Sequence, residues 1–288
     1  MHFPDNLKDM LIKAKEMNCS ISDLVIKIES EKTEKSTEEI FEKMKSYWQI
    51  MKDGINKGIE ENIKSVSGLT GGDAKKYHLK NKGLLGEIAQ KAVAYSMAMA
   101  EVNASMGKIV ATPTAGSCGI LPGVLLSISE AKKLEDEKVV KSLFTAAFIG
   151  QVIANKGTVA GAEGGCQAEC GSAAAMAAAA VVELLEGELE TILDAVAIAL
   201  QSIMGLVCDP VAGLVEIPCI VRNGSCAVTA VFAADLALAG VKSVIPADEV
   251  ISAMAEVGSL LPVELKETSM AGLANTPTAR AIEEKLGG

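Results

Sequence analysis

The stretch GCQAECGSAAAMAAAAVVELL, residues 165–185, decides the fold class of this chain. It joins a glycine-rich segment with two cysteines to a run of alanines that ends in larger apolar residues. Alanine has the highest helix propensity, and its small side chain lets neighbouring helices approach closely. The pattern therefore predicts a buried helix over residues 171–185, preceded by a loop that is able to carry chemistry.

The rest of the chain has a similar character. Of its 288 residues, 49% are hydrophobic, 22% are charged and only 3% are aromatic. This composition predicts a substantial core of Ala, Val, Ile, Leu and Met. No run of alternating strand residues is present, so we predict an all-α fold, a compact bundle of buried helices with glycine-rich functional loops. Besides 171–185, helices are predicted over 83–105, 124–134, 139–154, 189–207, 225–240 and 246–261, and a loop or broken element over 109–123.

The first 66 residues are charged and amphipathic. Apolar residues recur every three or four positions over 36–65, which predicts one long helix, and Ser36 with Glu39 forms a capping-box pattern at its start. We predict an N-terminal helical arm at residues 1–66 that packs on a catalytic domain at residues 67–288. The alternative is that its apolar face is a docking surface for a partner.

Charge and hydropathy narrow the functional classes. The net charge of −10 and the pI near 4.9 disfavour nucleic-acid binding. The N-terminus has no apolar core of a secretory signal, and the most apolar windows are short for a membrane span. We therefore expect a soluble cytoplasmic protein that binds neither nucleic acid nor membrane.

Most of the seven cysteines lie in three glycine-rich segments. Thiolates are the ligands of iron–sulfur clusters, whereas structural zinc favours CxxC pairs, which this chain lacks. Buried cysteines are also common as simple core residues, so the residues alone leave both interpretations open. The segments are 111–123 with Cys118, 161–171 with Cys166 and Cys170, and 205–219 with Cys208 and Cys219.

Five segments, in order, resemble the alpha chain of the two-subunit, iron–sulfur-dependent L-serine dehydratases. They are SGLTGGDA (67–74), ATPTAGSCGILPGVL (111–125), GAEGGCQAECGSAAAMAA (161–178), GLVCDPVAGLVEIPCIVRN (205–223) and KETSMAGLANTPTA (266–279).

The resemblance implies a [4Fe–4S] cluster held by Cys166, Cys208 and Cys219, which are 42 and 11 residues apart. Three protein ligands leave one iron open to act as a Lewis acid on the hydroxyl of L-serine. The implied products are pyruvate and ammonia. The family also uses a second module, so the resemblance implies a beta subunit as partner and a hetero-oligomer.

Four residues are candidates for catalysis or substrate binding. Ser117 and Thr114 lie in a glycine-flanked loop and could bind the substrate carboxylate or simply stabilise a turn. Glu169 could receive the substrate's ammonium group or a proton, and His78 is the only internal histidine. Arg222 could pair with a carboxylate of the substrate or of the protein.

Two other functions stay open on the sequence. One is a related cluster-dependent lyase that acts on cysteine or threonine. The other is a non-catalytic helical scaffold with buried thiols.

Overall fold

The computed structural model of the chain, which describes residues 2–80 and 83–287, confirms the all-α class. Helices make up 69% of the chain, and the described residues contain no strand. The helices are α1 (Leu7–Glu16), α2 (Ile21–Thr33), α3 (Thr37–Glu60), α4 (Asp73–His78), α5 (Glu87–Ala104), α6 (Ile120–Lys132), α7 (Asp136–Lys156), α8 (Gly161–Gly164), α9 (Ser172–Leu184), α10 (Leu189–Ile203), α11 (Cys219–Leu238), α12 (Ala247–Leu260) and α13 (Pro277–Leu286).

The alanine-rich helix α9 lies at the centre of the bundle. It packs against α6, α7, α10 and α11, and every side chain from Ser172 to Val182 is buried. Because alanines present so little volume, four helices can surround α9 at close range. A π-helical turn, Gln167–Gly171, precedes α9 and carries it into the cysteine-containing segment.

The N-terminal helices share the core of the rest of the chain. The capping box predicted at Ser36 and Glu39 is present at the start of α3. Trp48 is fully buried, and its indole Nε1 donates a 2.8 Å hydrogen bond to Asp136 Oδ1 at the start of α7. The apolar face of α3 therefore packs on the protein's own core. The boundary at residue 66 stays a prediction.

Three helices begin earlier than the sequence predicts, and one of them is α7, which starts at Asp136 rather than at residue 139. Helix α6 starts at Ile120, inside the segment predicted as a loop, because Pro122 lies in the first turn, where its missing N–H is tolerated. Helix α11 starts at Cys219 rather than near Ser225. The predicted ligand Cys219 therefore lies at the start of a helix and not in a loop.

Among the described helices, α11 alone is long and apolar enough to cross a membrane by length and composition. Half of its most apolar window is buried in the protein, as in a core helix.

Candidate active site

Asn223 joins two of the segments that carry the predicted site. Its side chain lies one turn into α11 and is fully buried. Its Oδ1 accepts a 3.0 Å hydrogen bond from the amide of Gly119, and its Nδ2 donates to the carbonyls of Gly116 at 2.7 Å and Cys219 at 2.9 Å. The loop before α6 is thereby fixed to the start of α11.

The closing segment of the chain fixes Cys208 in place. The Cys208 amide donates to the Leu265 carbonyl at 2.9 Å, and the Glu267 amide donates to the Cys208 carbonyl at 2.7 Å. The Ser269 hydroxyl adds a 2.7 Å hydrogen bond to the Pro210 carbonyl. Two regions more than fifty residues apart in sequence therefore form one backbone scaffold around this thiol.

The glycine-rich segment 67–72 is held by two buried carboxylates. Glu216, three residues before Cys219, accepts 2.8 Å hydrogen bonds from the hydroxyls of Ser67 and Thr70. Glu101 accepts a 3.0 Å hydrogen bond from the Gly72 amide and others from the next two amides. These contacts connect the segment to the region that carries two of the predicted ligands.

Four thiols form a connected group around the π-helical turn. The closest pair is Cys166 and Cys170, with their Sγ atoms 3.4 Å apart. The side chain of Cys208 is a neighbour of Cys166 and acts on its pKa, and the side chain of Cys226 acts in the same way on Cys170. Two of the three predicted ligands are therefore neighbours, and a thiol not predicted as a ligand lies beside Cys166.

The environment favours negative charge at Cys166. Hydrogen bonds from Cys170 and then Cys208 hold the pKa of the Cys166 thiol well below its ordinary value, against the effect of burial. Burial and the nearby Cys166 charge raise the pKa of Cys219 to about 12. The first proton lost from the three predicted ligands therefore leaves Cys166.

Glu169 and Thr114 meet beside these thiols. The Thr114 hydroxyl donates a 2.9 Å hydrogen bond to Glu169 Oε1. Burial, followed by the charge of Cys166, raises the pKa of Glu169 to about 7. A β-carbon added at Gly161 would lie 2.9 Å from Glu169 Oε2 and 3.0 Å from the Cys208 sulfur. A glycine is therefore needed where the backbone approaches both groups.

Other sequence candidates lie in different surroundings. Ser117 is fully buried; its hydroxyl donates to the Thr112 carbonyl at 3.2 Å and lies 3.1 Å from the Thr114 hydroxyl, so it stabilises the turn. His78 ends α4, its ring centroid 5.8 Å from that of Tyr95, in a hollow lined by none of the thiols. The roles proposed for both residues stay predictions.

Cys118, Cys19 and Glu163 lie in other environments. Cys118 is buried, its sulfur 4.0 Å from the Met99 carbonyl oxygen, and burial raises its pKa to about 12. Cys19 lies in the N-terminal region near Asp23. Glu163, in the same short segment as Glu169, is exposed to solvent.

The thiols around Cys166 are compatible with the ligand set of a cluster. Within residues 2–80 and 83–287, no three His, Cys, Asp or Glu side chains are arranged to hold one metal ion. The thiolate ligands of a cluster bind different irons, so they need not converge on a single point. Thiols from three segments, with a glycine in place of a side chain at position 161, suit such a group.

Sequence reasoning missed two carboxylates near the thiols. Asp209 follows Cys208 and is buried, and the charge of Glu267 acts on both Cys208 and Glu169. Asp209 could have been found from its place beside a candidate ligand. Glu267 gave no local signal, because only the folded chain brings the closing segment to Cys208.

Known proteins resemble this chain along nearly its whole length. The sequence profile of the family described as "Serine dehydratase alpha chain" matches residues 16–274. The "Probable L-serine dehydratase, alpha chain" of Bacillus subtilis is 48% identical over 98% of this chain and 95% of its own. The "L-serine dehydratase, alpha chain" of Peptoniphilus asaccharolyticus is 43% identical over 96% of this chain and 95% of its own. The "L-serine dehydratase" of Streptomyces coelicolor is 37% identical over 95% of this chain but only 61% of its own length.

Proposed function

The chain belongs to the serine dehydratase alpha-chain family, and from this premise we propose that it is the alpha subunit of an iron–sulfur-dependent L-serine dehydratase. The reaction is the loss of water from L-serine to give aminoacrylate, followed by hydrolysis to pyruvate and ammonia. The observation that supports the cofactor assignment is that Cys166 and Cys208 are neighbours beside Gly161, with Cys219 near enough for the charge of Cys166 to act on it.

These three cysteines would hold a [4Fe–4S] cluster. When bound, such a cluster with one iron free of protein ligands supplies a Lewis acid for the hydroxyl group that leaves. Thr114 and Glu169 are hydrogen-bonded to one another next to the thiols. We therefore propose that both residues act on the bound substrate. Thr114 orients the carboxyl group of Glu169, and Glu169 accepts the proton from the α-carbon of L-serine at one of its oxygens.

A beta subunit completes the enzyme in this proposal. The name "alpha chain" of the two bacterial relatives supports it. The Streptomyces coelicolor relative supports it too, because this chain covers only 61% of that longer protein. We also propose that the enzyme acts in the cytoplasm, where reducing conditions keep its cysteines out of disulfides and available as ligands.

The first test is anaerobic purification of the chain together with a beta subunit. We expect a brown protein with about four irons per alpha chain and release of pyruvate from L-serine. L-Threonine and L-cysteine, assayed in parallel, separate serine specificity from a broader lyase activity. A colourless protein without iron after reconstitution, and without pyruvate release, would contradict the proposal.

Single substitutions test the ligand assignment. Replacing Cys166, Cys208 or Cys219 by Ala should remove the visible absorbance, whereas Cys226→Ala should keep it. Loss of the absorbance in Cys170→Ala but not in Cys219→Ala would refute the assignment, since Cys170 is the thiol closest to Cys166.

Glu163 offers a matched control for Glu169, because both lie in segment 161–171 but only Glu169 is beside the thiols. We expect Glu169→Gln to abolish pyruvate formation with the cluster retained, and Glu163→Gln to leave kcat unchanged. Activity in Glu169→Gln together with its loss in His78→Gln would move the base to His78.

A further inference from the structure

Arg222 lies in the first turn of α11, three residues after Cys219. Only 15% of its side chain is exposed, although a guanidinium group is always charged. A cation buried to this degree requires partners that compensate for the loss of water. The groups that compensate for the buried charge of Arg222 therefore indicate what this side chain does.

The guanidinium group reaches both sides of Cys208. Its Nη1 donates a 2.8 Å hydrogen bond to the Val207 carbonyl, and its Nη2 lies 2.8 Å from Asp209 Oδ1. The planar fork of arginine makes these two contacts in a fixed relative geometry. Arg222 thus links the start of α11, which carries Cys219, to the backbone around Cys208.

Together with the hydrogen bonds from Cys170 and Cys208, the positive charge of the same guanidinium group acts on Cys166 and lowers its pKa. Arg222 therefore lies three residues after Cys219, bonds to both neighbours of Cys208 and exerts its charge on Cys166, so it links three segments separated by 42 and 11 residues.

Asp209 is itself fixed in position, with 4% of its side chain exposed. Its Oδ2 accepts a 2.7 Å hydrogen bond from the Leu273 amide. A β-carbon at Gly272 would lie 2.4 Å from that same oxygen, so the backbone of the closing segment is pressed against the carboxylate. Asp209 in turn holds Arg222 toward the thiols.

We propose that Arg222 is a positioning residue for the cluster site, which fixes the relative arrangement of Cys166, Cys208 and Cys219 and places one positive charge against the Cys166 sulfur. The inference rests on the proposed function. A cationic donor beside a ligand sulfur stabilises the cluster more when an electron is added, because the reduced cluster carries more negative charge. Arg222 should therefore raise both the affinity for the cluster and its reduction potential.

The test compares the wild-type holoenzyme with Arg222→Gln, Arg222→Lys and Asp209→Asn, all purified and reconstituted without oxygen. The readouts are iron and sulfide per chain and the midpoint potential from a spectroscopically monitored reductive titration. Lys138→Gln is the control, since it removes one positive charge from an exposed ion pair with Glu186 that bonds to none of the site segments.

We expect Arg222→Gln to weaken cluster retention about 10-fold or more and to lower the midpoint potential. Arg222→Lys keeps the charge but not the fork, so the potential should be largely restored while retention stays reduced. Asp209→Asn removes the carboxylate that holds Arg222 in place, so cluster retention should fall as it does in Arg222→Gln, and unchanged retention would contradict the anchoring role of Asp209. Lys138→Gln should resemble the wild type in both readouts.

Wild-type retention and potential in Arg222→Gln would overturn the inference while leaving the proposed function intact. An equal loss in Lys138→Gln would also overturn it, because the effect would then be one of general charge or stability. Absence of a cluster from the wild-type holoenzyme would instead refute the proposed function, and this inference with it.

Discussion

Replacing Asn223 by Ala should destabilise the fold at the point where two site segments meet. The substitution removes three hydrogen bonds, to the Gly119 amide and to the carbonyls of Gly116 and Cys219, at a fully buried position. Each buried backbone group left without a partner costs about 1 kcal/mol or more. The free energy of unfolding should therefore fall by about 3 kcal/mol.

Urea unfolding of the metal-free chain, followed by circular dichroism, measures this change. The corresponding decrease in Tm is about 6–12 °C for a domain of this size class. Asn103→Ala is the matched control, because Asn103 makes one 3.1 Å hydrogen bond to the Ala115 carbonyl of the same loop, in contact with solvent. Its substitution should cost less than about 1 kcal/mol. Equal losses in the two variants would refute the reasoning that Asn223 joins the segments.

Gly161→Ala should reduce iron binding by about 10-fold or more, because its β-carbon would press on the Glu169 carboxylate and the Cys208 sulfur. Gly86→Ala is the control, because its β-carbon would meet no neighbouring atom, and it should bind iron like the wild type in the same assay. A normal iron content in Gly161→Ala would show that the close approach of the Gly161 backbone to Glu169 and Cys208 is not required. Burial raises the pKa of Glu183 above its ordinary value. The protonated side chain therefore stabilises the folded state below the ordinary pKa of Glu, and this stability is lost as the pH rises through the raised pKa. Glu183→Gln should therefore gain stability relative to wild type in thermal unfolding as the pH rises above the ordinary pKa of Glu, and a difference independent of pH would contradict this.

Local patterns in the sequence predict most of the helices. The alanine run 173–180 predicts a buried helix because the residues have high helix propensity and little volume, and α9 lies at the centre of the bundle. Ser36 and Glu39 predict the start of α3 because the capping box depends only on residues three apart. The predictions at Pro122 and Cys219 were wrong by several residues, because the sequence there contains helix-breaking signals that the first turn of a helix tolerates.

The candidate site depends on contacts between distant segments. The sequence indicated the three cysteines only through resemblance to a family, since their spacing follows no local motif. The spacing of four residues indicated that Cys166 and Cys170 could share a helix face, but nothing in the sequence indicated that Glu169 rather than Glu163 would face the thiols. Those outcomes depend on the π-helical turn before α9, which sets the direction of each side chain.

By itself, therefore, the sequence determined the helical class, the family and the residue types able to bind a cluster. The tertiary structure decided how Asn223, Glu216 and the closing segment hold the loops together, and which charges surround the thiols. The physical reason is the distance along the chain over which each kind of interaction acts. Propensity, capping and amphipathic spacing act within a few turns of chain, whereas the hydrogen bonds and charges of this site join residues that approach one another only after the helices have packed.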